Sequence, residues 1–223
     1  VQARGRCVAD HQGNTVSDLA LIDAGGANLG SVRYALNRIG AQPRLVRDAD
    51  ELDAPERIIL PGVGAAAPSM ALLRARGLDA ALRNSEVPLL GVCVGMQLLF
   101  ESSEEGDVDC LGLLSGRVRK LVGRPGLRVP HMGWKRLRKR VDDNGDGSPL
   151  LEGIDDGAHA YFVHSYAVLV DEDTDGCVLA QSDHGQQFAA VVGSGKRYGA
   201  QFHPERSSTA GLRLLDNFLK LPA

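Results

Sequence analysis

The first hundred residues alternate short apolar runs with segments of helical periodicity, and this alternation restricts the fold more than any other feature of the sequence. The apolar runs at residues 19–23, 44–46, 57–60 and 88–92 have the length and composition of buried strands. After the first run, Leu29, Val32 and Leu36 recur on one helical face, with Asn28 as a candidate N-cap. Strands that alternate with helices predict a parallel sheet covered by helices on both faces.

Glycine and proline set the expected boundaries within this first half. Pro61 and Gly62 are expected to end the third strand, and Gly77 is expected to divide a helical segment over residues 66–84. Another helix is expected to begin at Gly95 and to continue through Glu101.

The second half has a different pattern, in which strand-like segments follow one another with Gly and Asp turns between them. They lie at residues 117–121, 134–138, 160–169, 177–181, 187–192 and 198–202, and a helix closes the chain. We therefore expect an α/β fold with a central, mostly parallel (mixed) sheet flanked by helices and an antiparallel extension in the second half. Residues 18–223 are expected to form a single domain, and residues 1–17 a flexible N-terminal tail.

The charge and cysteine content exclude some classes of partner. The formal net charge is −3, so nothing global recruits nucleic acid or an anionic membrane. No apolar run approaches the roughly 18 residues of a transmembrane helix, and the N-terminus is polar. The cysteines are widely spaced, and residues 142–147 only mimic the start of a calcium loop. A cytoplasmic protein without a metal site is expected.

A cysteine stands where a nucleophile elbow would place its nucleophile. Gly91-Val-Cys-Val-Gly95 follows an apolar strand and opens a helix, and so tight a turn leaves no room for side chains beside Cys93. The helix N-terminus favours the thiolate, and the N–H of Val94 can donate to an oxyanion. The competing interpretation is a buried structural cysteine. For Cys7, Cys110 and Cys177 we expect either a buried structural cysteine or a plain surface thiol.

A nucleophilic thiol needs a base, and a histidine follows the last predicted strand. In Gly199-Ala-Gln-Phe-His-Pro-Glu205, an extended backbone would project His203 and Glu205 to one side, so that the carboxylate orients the imidazole. Pro61-Gly-Val-Gly64 is either a second source of oxyanion N–H groups or a simple turn. His164 is either a core histidine or part of a pocket wall.

Taken together, these motifs resemble those of the class I (triad) glutamine amidotransferases. The segments at residues 61–64, 91–97 and 201–205 carry the resemblance. Residues 98–106, Val129-Pro-His-Met-Gly-Trp134 and Tyr161-Phe-Val-His-Ser-Tyr166 look like the branch that serves as glutaminase subunit of imidazole glycerol phosphate synthases. The resemblance extends from about Leu19 to the final helix.

The resemblance implies hydrolysis of L-glutamine to glutamate and ammonia without a metal or an organic cofactor. The catalytic residues implied are Cys93, His203 and Glu205; the oxyanion hole is implied at Gly62, Val63, Gly64 and Val94, and substrate contacts at Gln97 and Glu101. The ammonia would pass to a (β/α)₈-barrel cyclase subunit in a heterodimer. That subunit would make imidazole glycerol phosphate and aminoimidazole carboxamide ribotide in histidine biosynthesis.

The resemblance also implies where the partner binds. The interface residues implied are His131, Met132, Trp134, Lys135 and Tyr161, and Lys135 stands where the family normally has Asn. Ten Lys or Arg residues and no Asp or Glu lie between residues 117 and 140, either as a solvated face or as a docking surface for an acidic partner.

Two other functions remain open from the sequence. One is a different Cys–His–Glu hydrolase or amidotransferase subunit on the same fold, against which the segment at residues 130–134 argues. The other is a non-catalytic subunit that only binds a partner, against which the intact Cys93, His203 and Glu205 argue.

Overall fold

A computed structural model describes residues 18–25, 28–141 and 147–222, so the expected tail at residues 1–17 and most of the calcium-loop-like segment lie outside the described residues. The α-helices are α1 (Leu29–Arg38), α2 (Ala66–Ala75), α3 (Leu78–Asn84), α4 (Val94–Gln97) and α5 (Ser208–Lys220). The strands are β1 (Leu19–Ile22), β2 (Arg44–Val46), β3 (Arg57–Gly62), β4 (Leu89–Cys93), β5 (Ser102–Ser103), β6 (Val108–Asp109), β7 (Arg117–Lys120), β8 (His131–Arg136), β9 (Arg138–Lys139), β10 (His159–His164), β11 (Tyr166–Val168), β12 (Val178–Asp183), β13 (Gln187–Ser194) and β14 (Arg197–Ala200). Within these ranges, no helix has both the length and the apolar character that a membrane crossing requires.

The core of the fold is a mixed sheet of eight strands in the order β2-β1-β3-β4-β14-β13-β12-β9. The strands from β2 to β14 in this order are parallel, whereas β13, β12 and β9 each run antiparallel to the preceding strand. The expected α/β fold class, a mostly parallel sheet with an antiparallel extension, is confirmed. The sequence pattern did not reveal that β14, from the end of the chain, pairs in parallel with β4.

Two smaller sheets pack beside the large one and correct two predicted strands. β10 pairs with β8, whereas β11 belongs to a four-stranded sheet with β7, β5 and β6. The strand predicted at residues 160–169 is therefore two strands, which separate at Ser165. The strand predicted at residues 134–138 begins earlier, at His131, and a new strand begins at Arg138. Neither break contains a glycine or a proline, so the sequence pattern alone could not locate them.

Two boundaries in the first half also differ from the prediction. β3 runs through Pro61 and Gly62, because proline lacks only the N–H and its backbone angle suits an extended strand. α4 ends at Gln97 instead of continuing through Glu101. The carbonyls of residues 98–100 accept hydrogen bonds from backbone N–H groups of residues 111–114, which removes them from a helical ladder.

Close backbone packing fixes the position of α4 on the sheet. A Cβ atom added to Gly95 would lie 1.8 Å from the Leu60 carbonyl oxygen, and one added to Gly91 would lie 2.5 Å from the Gly95 carbonyl oxygen. A Cβ on Gly62 would lie 2.5 Å from the Gly95 nitrogen. All three positions therefore require glycine, because the first turn of α4 rests directly on β3 and β4.

We predict opposite effects for two glycine-to-alanine substitutions. Gly95→Ala should destabilise the fold by about 3 kcal/mol or more, because the clash is with the backbone of β3. Gly30→Ala is the matched control: nothing lies within 4 Å of its added Cβ, and alanine should stabilise α1 by about 0.5 kcal/mol. Chemical denaturation of both variants measures the difference. A Gly95→Ala protein as stable as the parent would contradict the packing described.

Candidate active site

Three neighbouring parallel strands bring the predicted catalytic segments to one edge of the sheet. β4 lies between β3 and β14, and Cys93 is its last residue. Val63 and Gly64 follow β3 directly, and His203 follows β14 by three residues. Because carboxyl ends of adjacent parallel strands meet at one edge, residues distant in sequence form one site there.

The backbone at Cys93 has the geometry of a nucleophile elbow. Its φ of 55° and ψ of −113° are unusual for a residue with a side chain and mark a sharp strand-to-helix turn. The thiol is 4% exposed. Because α4 has only four residues, the turn offers the unpaired N–H groups of a helix start, with little of a long helix's dipole.

His203 lies between the thiol and a buried carboxylate. Its Nδ1 atom is 3.0 Å from Glu205 Oε1. Burial lowers the pKa of His203, but side-chain hydrogen bonds with Cys93 and Glu205, and their charges, outweigh burial and raise it to about 10. Burial raises the pKa of Glu205, but the hydrogen bond with His203 and its charge, together with Asn28, lower it below its usual range. The sequence argument assumed an extended segment here, whereas Pro204–Arg206 forms a 3₁₀ turn that brings Glu205 back to the ring.

Asn28 contributes to the site, although the sequence predicted it only as a helix N-cap. It stands at the N-cap position of α1 but makes no side-chain cap hydrogen bond. Its Nδ2 atom instead donates to Glu205 Oε1 at 2.5 Å and lies 3.5 Å from His203 Nδ1. The available signal was its position just after β1, whose carboxyl end lies at the same sheet edge.

A cavity of about 380 Å³ opens beside Cys93. Of the predicted oxyanion and substrate residues, Val63, Gly64, Val94 and Gln97 line it together with Cys93 and His203. Gly62 does not line this cavity but packs behind it against Val94 and Gly95. The volume is within the range of pockets for small metabolites.

Glu101 lies elsewhere, and a different carboxylate occupies the cavity. Glu101 is exposed, and its Oε2 atom accepts from the N–H of Gly116. Among the described residues that line the cavity, Glu105 is the one carboxylate. It accepts from the N–H of Ala66 at 2.9 Å, and burial raises its pKa. The contact at Glu101 was implied by the family resemblance, and α4 ends four residues before Glu101.

The His131 side chain is buried, contrary to its expected place in a partner interface. Its ring stacks on His184 at a centroid distance of 4.2 Å, and its Nδ1 atom lies 3.2 Å from His164 Nε2. His164 Nδ1 lies 2.8 Å from the carbonyl oxygen of Tyr166. Since a carbonyl only accepts, His164 donates from Nδ1 and accepts at Nε2 from His131.

Both rings of this pair are neutral near pH 7. Burial, with the neighbouring histidines and Lys135, lowers the pKa of His131 to about 3. Burial likewise lowers the pKa of His164 to about 4. His164 also lines the cavity, so it is both a buried core histidine and part of the pocket wall.

Three of the remaining predicted interface residues form part of an exposed aromatic surface. Met132 is 65% exposed and Trp134 51% exposed, and the Trp134 ring lies 5.7 Å from that of Tyr161. The Arg206 guanidinium is 5.3 Å from the centre of the Tyr161 ring. We call Met132, Trp134, Tyr161 and Arg206 the aromatic face. Arg206 also lines the cavity, so this face borders its mouth. Lys135 is half-buried and, by strand alternation, on the opposite side of β8 from Trp134.

The basic segment at residues 117–140 does not form one surface. Its strands β7, β8 and β9 belong to three different sheets. Arg117, Arg119 and Arg140 pair with Asp107, Asp171 and Asp175, which come from other segments. A solvated, partly ion-paired set of charges describes it better than a single docking surface.

The sequence matches proteins of known family over nearly its whole length. Residues 20–221 match the family described as glutamine amidotransferase class-I. The chain is 59% identical over 206 residues to imidazole glycerol phosphate synthase subunit HisH of Xanthomonas campestris pv. campestris (strain 8004). The aligned residues make up 92% of this chain and 98% of that protein. It is 57% identical over 208 residues to the subunit of the same name from Xylella fastidiosa (strain Temecula1 / ATCC 700964), and this alignment covers 93% of this chain and 100% of that protein.

Solved structures with the same fold are more distant in sequence. A crystal structure of a glutamine amidotransferase aligns with a TM-score of 0.69 at 23% identity, over 91% of this chain and 97% of that one. The structure of PurLQS from Thermotoga maritima aligns with a TM-score of 0.64 at 22% identity, over 91% and 98%. At these identities the likeness shows the fold alone.

Proposed function

The chain belongs to the class I glutamine amidotransferase family, and from that premise we propose that it is the glutaminase subunit of an imidazole glycerol phosphate synthase in histidine biosynthesis. In this role it hydrolyses L-glutamine to glutamate and ammonia. The arrangement of Cys93, His203 and Glu205 beside one cavity carries the proposal. A non-catalytic subunit would gain nothing from such a buried charged set, since buried charges are costly unless they are paired.

His203 holds a proton beside the nucleophile before the reaction begins. Since the pKa of His203 is raised to about 10, its ring is protonated at neutral pH and faces the Cys93 sulfur. Glu205 stays ionised and accepts from His203 Nδ1 and from Asn28. Two hydrogen bonds to one carboxylate oxygen hold the ring orientation.

The first half-reaction releases ammonia. The Cys93 sulfur attacks the side-chain amide carbon of glutamine, and the amide oxygen becomes an oxyanion. The N–H of Val94 and an N–H of the loop at residues 62–64 stabilise this charge. His203 gives its proton to the leaving nitrogen, the C–N bond breaks, ammonia departs and a glutamyl thioester remains.

The second half-reaction regenerates the enzyme. Water attacks the thioester carbon while the neutral His203 accepts a proton from it. The oxyanion forms again at the same N–H groups, the C–S bond breaks and glutamate leaves. The thiolate and the protonated imidazole are restored, so the chemistry needs no metal or organic cofactor.

The substrate occupies the cavity, with Gln97 and Glu105 as its polar contacts. Both line the cavity, and Gln97 Oε1 is buried without a partner among the described residues, which leaves it free to accept from a ligand. Free glutamine carries an α-ammonium group, for which a half-buried carboxylate is the natural partner. We therefore assign that contact to Glu105 instead of Glu101.

The aromatic face is proposed to bind the cyclase subunit. Exposed Trp and Met side chains are uncommon on a surface that stays in water, and aromatic, Met and Arg residues are enriched in interfaces. The face borders the mouth of the cavity, so a partner bound there would receive ammonia directly. We propose a heterodimer with a (β/α)₈-barrel cyclase, in the cytoplasm.

We predict that Cys93→Ala abolishes glutamine-dependent synthesis by the complex with the cyclase but leaves synthesis from ammonium salts intact. Only the ammonia source is lost, because the variant cannot form the thioester. Cys110→Ala removes another buried thiol, outside the cavity, and should retain glutamine-dependent synthesis. Product formation from either nitrogen source is followed spectroscopically. Loss of both activities in Cys93→Ala would contradict the proposed division of labour.

We predict that Glu105→Gln raises the KM for glutamine roughly ten-fold or more, with a smaller change in kcat, because a charged hydrogen bond to the α-ammonium is lost. The new amide oxygen can still accept from Ala66, so the local fold is retained. Glu101→Gln is the control and should leave KM unchanged. Steady-state glutaminase kinetics of the complex decide between the two positions, and an effect confined to Glu101→Gln would refute the assignment.

We predict that Trp134→Ala weakens binding of the cyclase subunit about 30-fold, the loss expected of an interface hot spot. Val122→Ala removes another exposed apolar side chain, which follows β7 in a different sheet, and should leave the affinity unchanged. Isothermal titration calorimetry of each variant with the cyclase measures both effects. Unaltered affinity in Trp134→Ala would place the interface elsewhere.

A further inference from the structure

A second buried glutamine connects the substrate cavity to the nucleophile. Gln201 follows β14 and is fully buried. Its Nε2 atom lies 3.9 Å from Cys93 Sγ, within reach of a long N–H···S hydrogen bond. Its Oε1 atom accepts from Gln97 Nε2 at 3.0 Å, and Gln97 Nε2 also donates to the Tyr166 carbonyl at 2.8 Å.

The order of donors and acceptors fixes the orientation of both amides. The Tyr166 carbonyl can only accept, so Gln97 must turn its NH₂ group towards it. The same NH₂ group reaches Gln201, which must therefore present its oxygen to Gln97. The NH₂ group of Gln201 is then the end that points at the sulfur. The direction follows from the network, since reversal of Gln201 would set two NH₂ groups against each other.

We propose that Gln201 donates an N–H hydrogen bond to the Cys93 sulfur and stabilises its thiolate form, with Gln97 fixing its orientation from the cavity. The inference rests on the proposed function, in which Cys93 attacks glutamine. A neutral thiol sulfur is a weak acceptor, whereas a thiolate accepts strongly, so this donor favours the charged form. The sulfur is almost fully buried and has lost most of its water, so each protein donor carries more weight.

The other groups around the Cys93 sulfur act on its charge in opposite directions. The protonated His203 contacts the sulfur from one side. The carbonyl oxygen of Val163 lies 4.0 Å from the sulfur and disfavours negative charge. Gln201 provides a neutral donor whose N–H remains when His203 gives its proton to the leaving group. It therefore continues to favour sulfur as the leaving group when the thioester breaks down.

The test is the pH dependence of alkylation of Cys93 by iodoacetamide in the isolated chain. The reagent reacts with thiolate, and peptide mass spectrometry resolves the modified cysteine. Burial raises the pKa of Cys110 and of Cys177 to about 11, so they react slowly across the relevant range. Gln201→Met keeps the length of the side chain without its donor. Gln181→Met makes the same substitution on β12 of the same sheet and is the matched control.

The midpoint of the alkylation profile should rise by about one pH unit in Gln201→Met and remain unchanged in Gln181→Met. Gln201→Asn, which keeps the amide but withdraws it from the sulfur, should shift the midpoint in the same direction and carries the test if the Met variant does not fold. Circular dichroism verifies the fold of each variant. Folded Gln201 variants with the parental midpoint would overturn the inference.

The alkylation assay separates this inference from the proposed function, because it needs neither glutamine nor a cyclase. A shifted midpoint in a chain without glutaminase activity would support the N–H···S contact and refute the function. A parental midpoint in an active glutaminase would refute the contact alone.

Discussion

The approach of Gly95 to the carbonyl oxygen of Leu60 is the contact on which the active-site geometry depends. Any side chain at Gly95 would displace α4 from the backbone of β3. With α4 in place, β4 must end in a sharp turn, and Cys93 takes the backbone conformation that points its sulfur out of the sheet. The loop after β3 and the histidine after β14 then lie on either side of that sulfur, because their strands flank β4.

The pKa values of the buried histidines in this structure shift in opposite directions, and the physical reason is clear. His131 and His164 are buried beside other histidines, and their pKa values fall to about 3 and about 4. His203 is buried as well, but beside Cys93 and Glu205, and its pKa rises to about 10. Burial alone favours the neutral ring, and only anionic neighbours reverse that preference. His164 in the cavity wall is thus neutral, whereas His203, beside Cys93 and Glu205, carries a proton.

Sequence reasoning succeeded where chemistry is encoded locally and failed where a short segment changes direction. The elbow, the Gly-rich loop and the His-Pro-Glu segment were each recognisable because a few adjacent residues define them. The contact at Glu101 was implied by the family resemblance, but α4 ends before Glu101, because the carbonyls of residues 98–100 bond to N–H groups of residues 111–114. The resemblance implied that His131 lies in the interface together with Met132 and Trp134, whereas strand alternation turns its side chain inward.

The sequence by itself determined the alternation that specifies a parallel sheet, the glycines that permit its tight turn, and the three residues proposed as nucleophile, base and carboxylate. Only the tertiary structure decided which other side chains reach them. Asn28 contacts Glu205 across 177 positions, and Gln201 contacts Cys93 across 108. No local pattern encodes such contacts, because they depend on the order in which β1, β3, β4 and β14 lie side by side. That order is set by the packing of the whole sheet.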